Sequence, residues 1–181
     1  MIGLSLHKNI TNKTRGLKNT GWVFASSAGQ DSSNGGSGVW LNTSNILTSN
    51  DVYCTIIGAR VLTPYLQALF PIDLVPTAAV ISGMEVSVER KKTGAGNVVD
   101  LTAQMWKGGA IQDLVGTNQS TGASWSLTEG EVLFGGYNNL WGTTWTPSEL
   151  NNSDFAFYIN VNVDALTTAA VDAVKIKIYY Y

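Results

Sequence analysis

The chain holds few side chains of the kinds that break bonds or bind metals. His7 is its one histidine and Cys54 its one cysteine. A Ser-His-Asp triad or a His/Cys metal centre would have to draw His7 out of a polar N-terminal stretch to meet Cys54 or an acid. Beside Lys8 and Asn9, a lone histidine of this kind reads as solvated. Cys54 stands among Val52, Tyr53, Ile56 and Ile57, the setting of a buried, inert thiol, and one cysteine cannot form an intrachain disulfide. The glycine-rich GGSG at 35–38 and GAGN at 94–97 lack the lysine and the following helix of a phosphate loop.

Paired carboxylates come next. Glu85 and Glu89 lie four apart on an alternating stretch, so they face the same way about 13 Å apart. An inverting glycosidase pair needs roughly 6.5–9.5 Å, so the two read as a charged outer face that pairs with Arg90 or Lys91. Asn45, Asn50 and Asp51 offer oxygen ligands for calcium, but Asn and Asp are also the usual turn formers. No catalytic residue, no metal and no cofactor is expected.

The elements that would position these residues are strands. Phe155, Phe157, Ile159, Val161 and Val163 alternate with Ala156, Tyr158, Asn160 and Asn162. Val174, Ile176, Ile178 and Tyr180 alternate with Lys175, Lys177, Tyr179 and Tyr181. A period of two puts each set on one face of a sheet, which predicts Phe157, Ile159, Ile176 and Ile178 in the core. Met84, Val86 and Val88 alternate in the same manner, as do Val99, Leu101, Ala103 and Met105, all expected inward. Further strands are expected over 39–41, 51–57, 111–115 and 131–134, and over 65–74, where helix is also possible but Pro64, Pro71 and Pro76 favour strand, with a hairpin-type turn at KKTGAGN. Thr146, Pro147 and Glu149 fit a capping box that opens one helical turn. Trp141 and Trp145 are expected to close one end of the core, with partners for their N–H groups.

Some eight to ten short strands and no long amphipathic helix predict an all-β fold, an antiparallel β-sandwich. Long connections favour jelly-roll-like crossings over a meander. Residues 36–181 are read as the sandwich, and residues 1–35 as an N-terminal arm with a flexible loop in SSAGQDSSNGGSG.

Charged residues make up only 13% of the chain, and the net charge is −2. That argues against a general nucleic-acid binder. No stretch approaches the roughly 20 apolar residues of a membrane span, and residues 1–16 show no apolar core of a signal peptide. Synthesis in a cytoplasm is expected. Charge is uneven: in residues 1–34 four basic residues face Asp31 for +3, and the remainder, with seven basic and twelve acidic, sums to −5.

Three stretches resemble one family. In GVWLNTSNILTSNDVYCT, Trp40, Asn42, Asn45, Asp51 and Tyr53 match W-x-N-P-x-N-x-x-x-x-D-x-x-Y-A-T, with Thr43 in place of proline. VPTAAVISGMEVSVERK is similar to I-P-S-x-A-x-I-x-G-I-x-V-x-I-E-R at Pro76, Ala79, Ile81, Gly83, Val86, Val88, Glu89 and Arg90. The C-terminal stretch is similar to L-W-G-x-x-W-T-x-x-x-I-N-x-x-x-F-G-V and V-D-x-V-x-I-x-V-Y-Y. Trp141, Gly142, Trp145, Thr146, Asn151, Phe155, Val171, Asp172 and Val174 match there, and Ala156 replaces a glycine. The family is a β-sandwich module of bacteriophage virion proteins and large bacterial surface proteins, and the resemblance spans residues 36–181.

What the resemblance implies is a binding unit without catalytic residues. It implies a virion structural protein, a capsid decoration or head-fibre subunit, made in the host cytoplasm. Its partners would be its own copies, as a homotrimer, and the major capsid or other virion proteins. The alternative is a carbohydrate-binding or adhesion module at a tail-fibre tip, with a host glycan as ligand. Ile2, Leu4 and Leu6 could add a strand to a neighbour's sheet. Lys8, Lys13, Arg15 and Lys18 could steer the arm by charge, and Trp22 and Phe24 could anchor it. Trp106, Tyr158, Tyr179 and Tyr181 fall out of phase with the core, which marks them as surface aromatics. Their chemistry suits subunit contacts or sugar stacking, and in a virion protein subunit contacts are the favoured role.

Overall fold

The computed structural model describes residues 16–58, 61–108 and 113–181. Among the described residues, twelve strands form two six-stranded antiparallel sheets. In the first sheet, β12 (Thr168–Tyr180) pairs with β7 (Ile81–Thr93), and β7 pairs with β10 (Gly130–Gly136). The free edge of β12 is completed by three short segments in series. These are β4 (Cys54–Ile57), β2 (Val23–Phe24) and β1 (Lys18–Asn19). The second sheet runs β3 (Ser27–Asp31), β6 (Tyr65–Leu69), β11 (Ala156–Val163), β8 (Val98–Lys107) and β9 (Asp113–Val115), with β5 (Val61–Leu62) beside the end of β11.

The chain changes sheet at β2–β3, β3–β4, β4–β5, β6–β7, β7–β8, β9–β10, β10–β11 and β11–β12. KKTGAGN therefore bridges the two sheets and is not a hairpin turn. It interlocks with the β11–β12 connection. Gly96 N–H donates to Thr167 Oγ1 at 3.0 Å and Asn97 N–H to Asp164 Oδ2 at 2.8 Å. A Cβ at Gly96 would lie 2.4 Å from that same Oγ1, so only glycine fits.

The core lies where alternation put it. Phe157, Ile159, Ile176 and Ile178 are buried, with Met84, Val86 and Val88 facing them. The expected phase of β8 fails at its start. A bulge opposite Asn160 and Val161 takes Leu101 out of register, so Val98 and Asp100 point inward and Leu101 is 41% exposed. The Gly/Ser-rich loop is corrected in part: Ser27–Asp31 is a strand on β6. At 39–41 only an isolated bridge, Leu41 to Thr55, forms. Residues 1–15, which include Ile2, Leu4, Leu6, Lys8, Lys13 and Arg15, lie outside the described residues, as do 111–112 of one expected strand.

Each end of the sandwich buries a cation. Arg90 on β7 pairs with Asp100 on β8 across the two sheets, and its guanidinium lies 4.4 Å from the Trp125 ring centroid. Trp125 Nε1–H donates to the same Asp100 oxygen at 2.8 Å. Towards the other end of β8, Lys107 Nζ donates to the Thr144 carbonyl at 2.6 Å and to Glu149 Oε1 at 2.9 Å. Glu149 also closes the capping box of α1 (Pro147–Leu150) with Thr146. Trp141 Nε1–H donates to the Met84 carbonyl and Trp145 Nε1–H to that of Leu140, so both indoles are satisfied inside the core.

Candidate functional site

The two sheets present different outer faces. On the second sheet the central strand β11 turns Ala156, Tyr158 and Asn160 outward. Their register partners on β8 are Trp106, Gln104 and Thr102. On β6, Leu69 and Gln67 stand opposite Ala156 and Tyr158. Tyr158 thus has an amide on either side, and aromatic rings on both flanking strands. Trp106 stacks on it with centroids 4.9 Å apart and an interplanar angle of 16°, and Tyr65 meets its edge at 5.5 Å. Gln67 Nε2–H donates to the Tyr158 hydroxyl at 2.6 Å. Gln104 Nε2–H donates to the Gly116 carbonyl at 2.9 Å, which fixes its side chain along the face.

Tyr158 is a correction to the surface expectation. It points outward, yet it is only 2% exposed, because its neighbours cover it. Burial, with Asp31 and Asp154 nearby, pushes its hydroxyl up to about 12 against the opposing effect of the Gln67 hydrogen bond. Trp106 stays half-buried and Tyr65 and Gln67 likewise, so the rings and amides above Tyr158 meet solvent. Stacking onto a buried base holds Trp106 in place at low entropic cost.

The first sheet carries a lattice of ion pairs instead. Lys175 Nζ lies 2.6 Å from Glu131 Oε1, and Lys177 Nζ 3.8 Å from Glu85 Oε2. Trp22 sits against both ammonium groups, 4.1 Å from Lys177 and 5.4 Å from Lys175 by ring centroid. Phe24 remains partly exposed beside Lys175, and Lys18 pairs along the backbone with Tyr180. Tyr179 donates to Glu85 Oε2 at 3.1 Å and meets Tyr137 edge-on. Tyr181, 43% exposed, exchanges backbone hydrogen bonds with Val80. The four surface aromatics therefore split: Trp106 and Tyr158 share one face, while Tyr179 and Tyr181 follow the opposite sheet. Glu85 and Glu89 do share the outer face of β7, but Arg90 points into the core.

Two further clusters have polar character. Asp51, Glu129 and Asp172 bring one carboxylate oxygen each within 4.8 Å of one another, a set that could hold a cation. Asp172 is buried and accepts from Asn50 N–H, while Glu129 already accepts from Tyr53 and from Lys91 Nζ at 3.4 Å. Asp51 was the one member marked by sequence, as a weighed calcium ligand; Glu129 and Asp172 lie far away in the chain. A cleft of about 380 Å³ opens between the 121–128 loop and β10, lined by the Thr121, Ser124, Ser126 and Thr128 hydroxyl-bearing residues and by Glu129 and Glu131. Cys54 is fully buried, and burial pushes its thiol up to about 12, as expected for an inert side chain.

No family model matches the chain, and no curated protein matches it. Solved structures with similarity include one described as "CBM4 structure and function", at 12% identity and a TM-score of 0.41 over 86% of this chain and 93% of that one. A second is the CBM22-1 xylan-binding domain from Paenibacillus barcinonensis Xyn10C, at 10% identity and a TM-score of 0.45, covering 87% of this chain and 85% of that one. The CBM22-1-CBM22-2 tandem domain of the same protein matches at 11% identity and a TM-score of 0.43, with 88% of this chain and 41% of that chain covered. These are loose likenesses of fold.

Proposed function

We propose that this chain is a non-catalytic binding module that lays a glycan chain along the outer face of its second sheet. One observation carries the reading: Trp106 stacked on a buried Tyr158, with Tyr65 at the ring edge and Gln67 and Gln104 on either side. A sugar ring has apolar C–H faces and a rim of hydroxyls. Aromatic rings suit the faces, and amides, which both donate and accept, suit the rim. Strands spaced about 4.8 Å apart set these groups in rows on a surface without a closing wall, which fits a chain better than a small molecule. The described part of the N-terminal segment pairs within its own two sheets.

The test is affinity electrophoresis through gels containing a panel of soluble polysaccharides. At least one should retard the native protein, and Trp106→Ala should abolish the retardation, since aromatic anchors typically contribute 2 kcal/mol or more, about thirtyfold in affinity. Equal retardation of native and Trp106→Ala protein, or none across the panel, would reject the reading.

A further inference from the structure

We propose that this face sorts glycan chains by charge, accepting uncharged chains and rejecting those that carry carboxylate or sulfate groups. The inference rests on the glycan reading above and concerns which chains that face takes.

It follows from where the charged side chains stand. Among the described residues, Lys18, Lys91, Lys175 and Lys177 belong to strands of the first sheet. Arg90 and Lys107 are buried between the sheets, and Lys92 donates to the Gly96 carbonyl in the β7–β8 connection. None of these cations stands on the outward phase of β3, β6, β11 or β8. Acids do flank that face. Asp31 is the register partner of Tyr65 at the β3 edge, and Asp154 lies just before Ala156 at the other end. Both act on the Tyr158 hydroxyl between them. Asp154 is exposed, Asp31 is held by Ser33 N–H at 2.8 Å, and neither forms an ion pair with a cation among the described residues. A carboxylate on a sugar stacked at Trp106 would meet like charges and, among the described residues, no cation to replace its water. Such repulsion is felt within about 10 Å at 0.1 M salt and fades as salt rises.

The full chain would be run in gels containing each neutral polysaccharide of the panel and, separately, its carboxymethylated derivative, at low and high salt. At low salt the neutral chain should retard the protein roughly tenfold more strongly than its anionic derivative. High salt should narrow that gap. In Asp31→Asn/Asp154→Asn the ratio should fall towards one at low salt. Equal or stronger retention on the carboxymethylated chain at low salt, or an unchanged ratio in the double variant, would overturn the proposal while leaving glycan binding intact. If no chain retards the protein, or Trp106→Ala is retarded like the native form, the underlying reading fails and takes this one with it.

Discussion

The two outer faces of this sandwich are built by the same alternation but filled by different chemistry. On the first sheet, Glu85 and Glu89 of β7, Glu131 of β10 and Lys175 and Lys177 of β12 bring charge, with Ser87, Leu133 and Tyr179 among them, and two pairs, Lys175–Glu131 and Lys177–Glu85, form across strands. On the second, β6, β8 and β11 bring Tyr, Trp and Gln, and acids stand only at the margins. A lattice of ion pairs satisfies itself and leaves little for a partner to gain. An aromatic and amide surface leaves ring faces and amide groups open to a ligand. On the proposed reading, the difference separates a charged face from the face that takes the glycan.

The strongest break in that contrast is Tyr158→Ala. It removes the buried ring on which Trp106 rests and should destabilise the fold by about 3–5 kcal/mol in urea melts. A cost under about 1 kcal/mol would mean that Trp106 is not supported from beneath. On the opposite face, a double-mutant cycle on Lys175 and Glu131 should give a coupling below about 1 kcal/mol that shrinks in salt. A coupling of several kcal/mol would make the lattice structural.

The pH response of that lattice has a defined sign. The Lys175 hydrogen bond holds the Glu131 carboxyl below its ordinary value, against the cost of partial burial. A depressed folded value means that stability is present above the unfolded carboxyl range and is lost as pH falls through the folded value. Lys175→Ala should flatten that acid limb; an unchanged limb would place the loss elsewhere. The smallest effect is expected at Asp51, Glu129 and Asp172. Lys91 already supplies a positive charge to Glu129, so the melting temperature should be the same in EDTA and in calcium. A calcium-dependent rise would make these three carboxylates a cation site.

Strict alternation made β11 and the Val174–Tyr180 half of β12 legible from sequence, while the first half of β12, buried on both phases with a register shift between Val171 and Ala173, carried no such pattern. The capping box at Thr146 was legible for a similar reason: its hydrogen bonds close within four residues. Features that depend on a partner strand were not. The β8 bulge that exposes Leu101 exists only against Asn160 and Val161. Ser27–Asp31 has loop composition and becomes a strand because β6 offers an edge. Of the candidate site, Trp106 and Tyr158 were visible as aromatics out of phase with the core. Tyr65, Gln67 and Gln104 were not, since only sheet order places them beside Tyr158. The same gap hid the burial of Tyr158 and grouped Tyr179 and Tyr181 with residues of the opposite sheet.

The most direct test of the binding face is amide chemical-shift mapping of the full chain titrated with the neutral oligosaccharide of whichever polysaccharide retards it. The account predicts that shifts cluster on β6, β8 and β11 around Tyr65, Gln67, Gln104, Trp106 and Tyr158, with the Trp106 indole N–H among the largest. Shifts confined to β7, β10 and β12, or to the 121–128 loop, would contradict it.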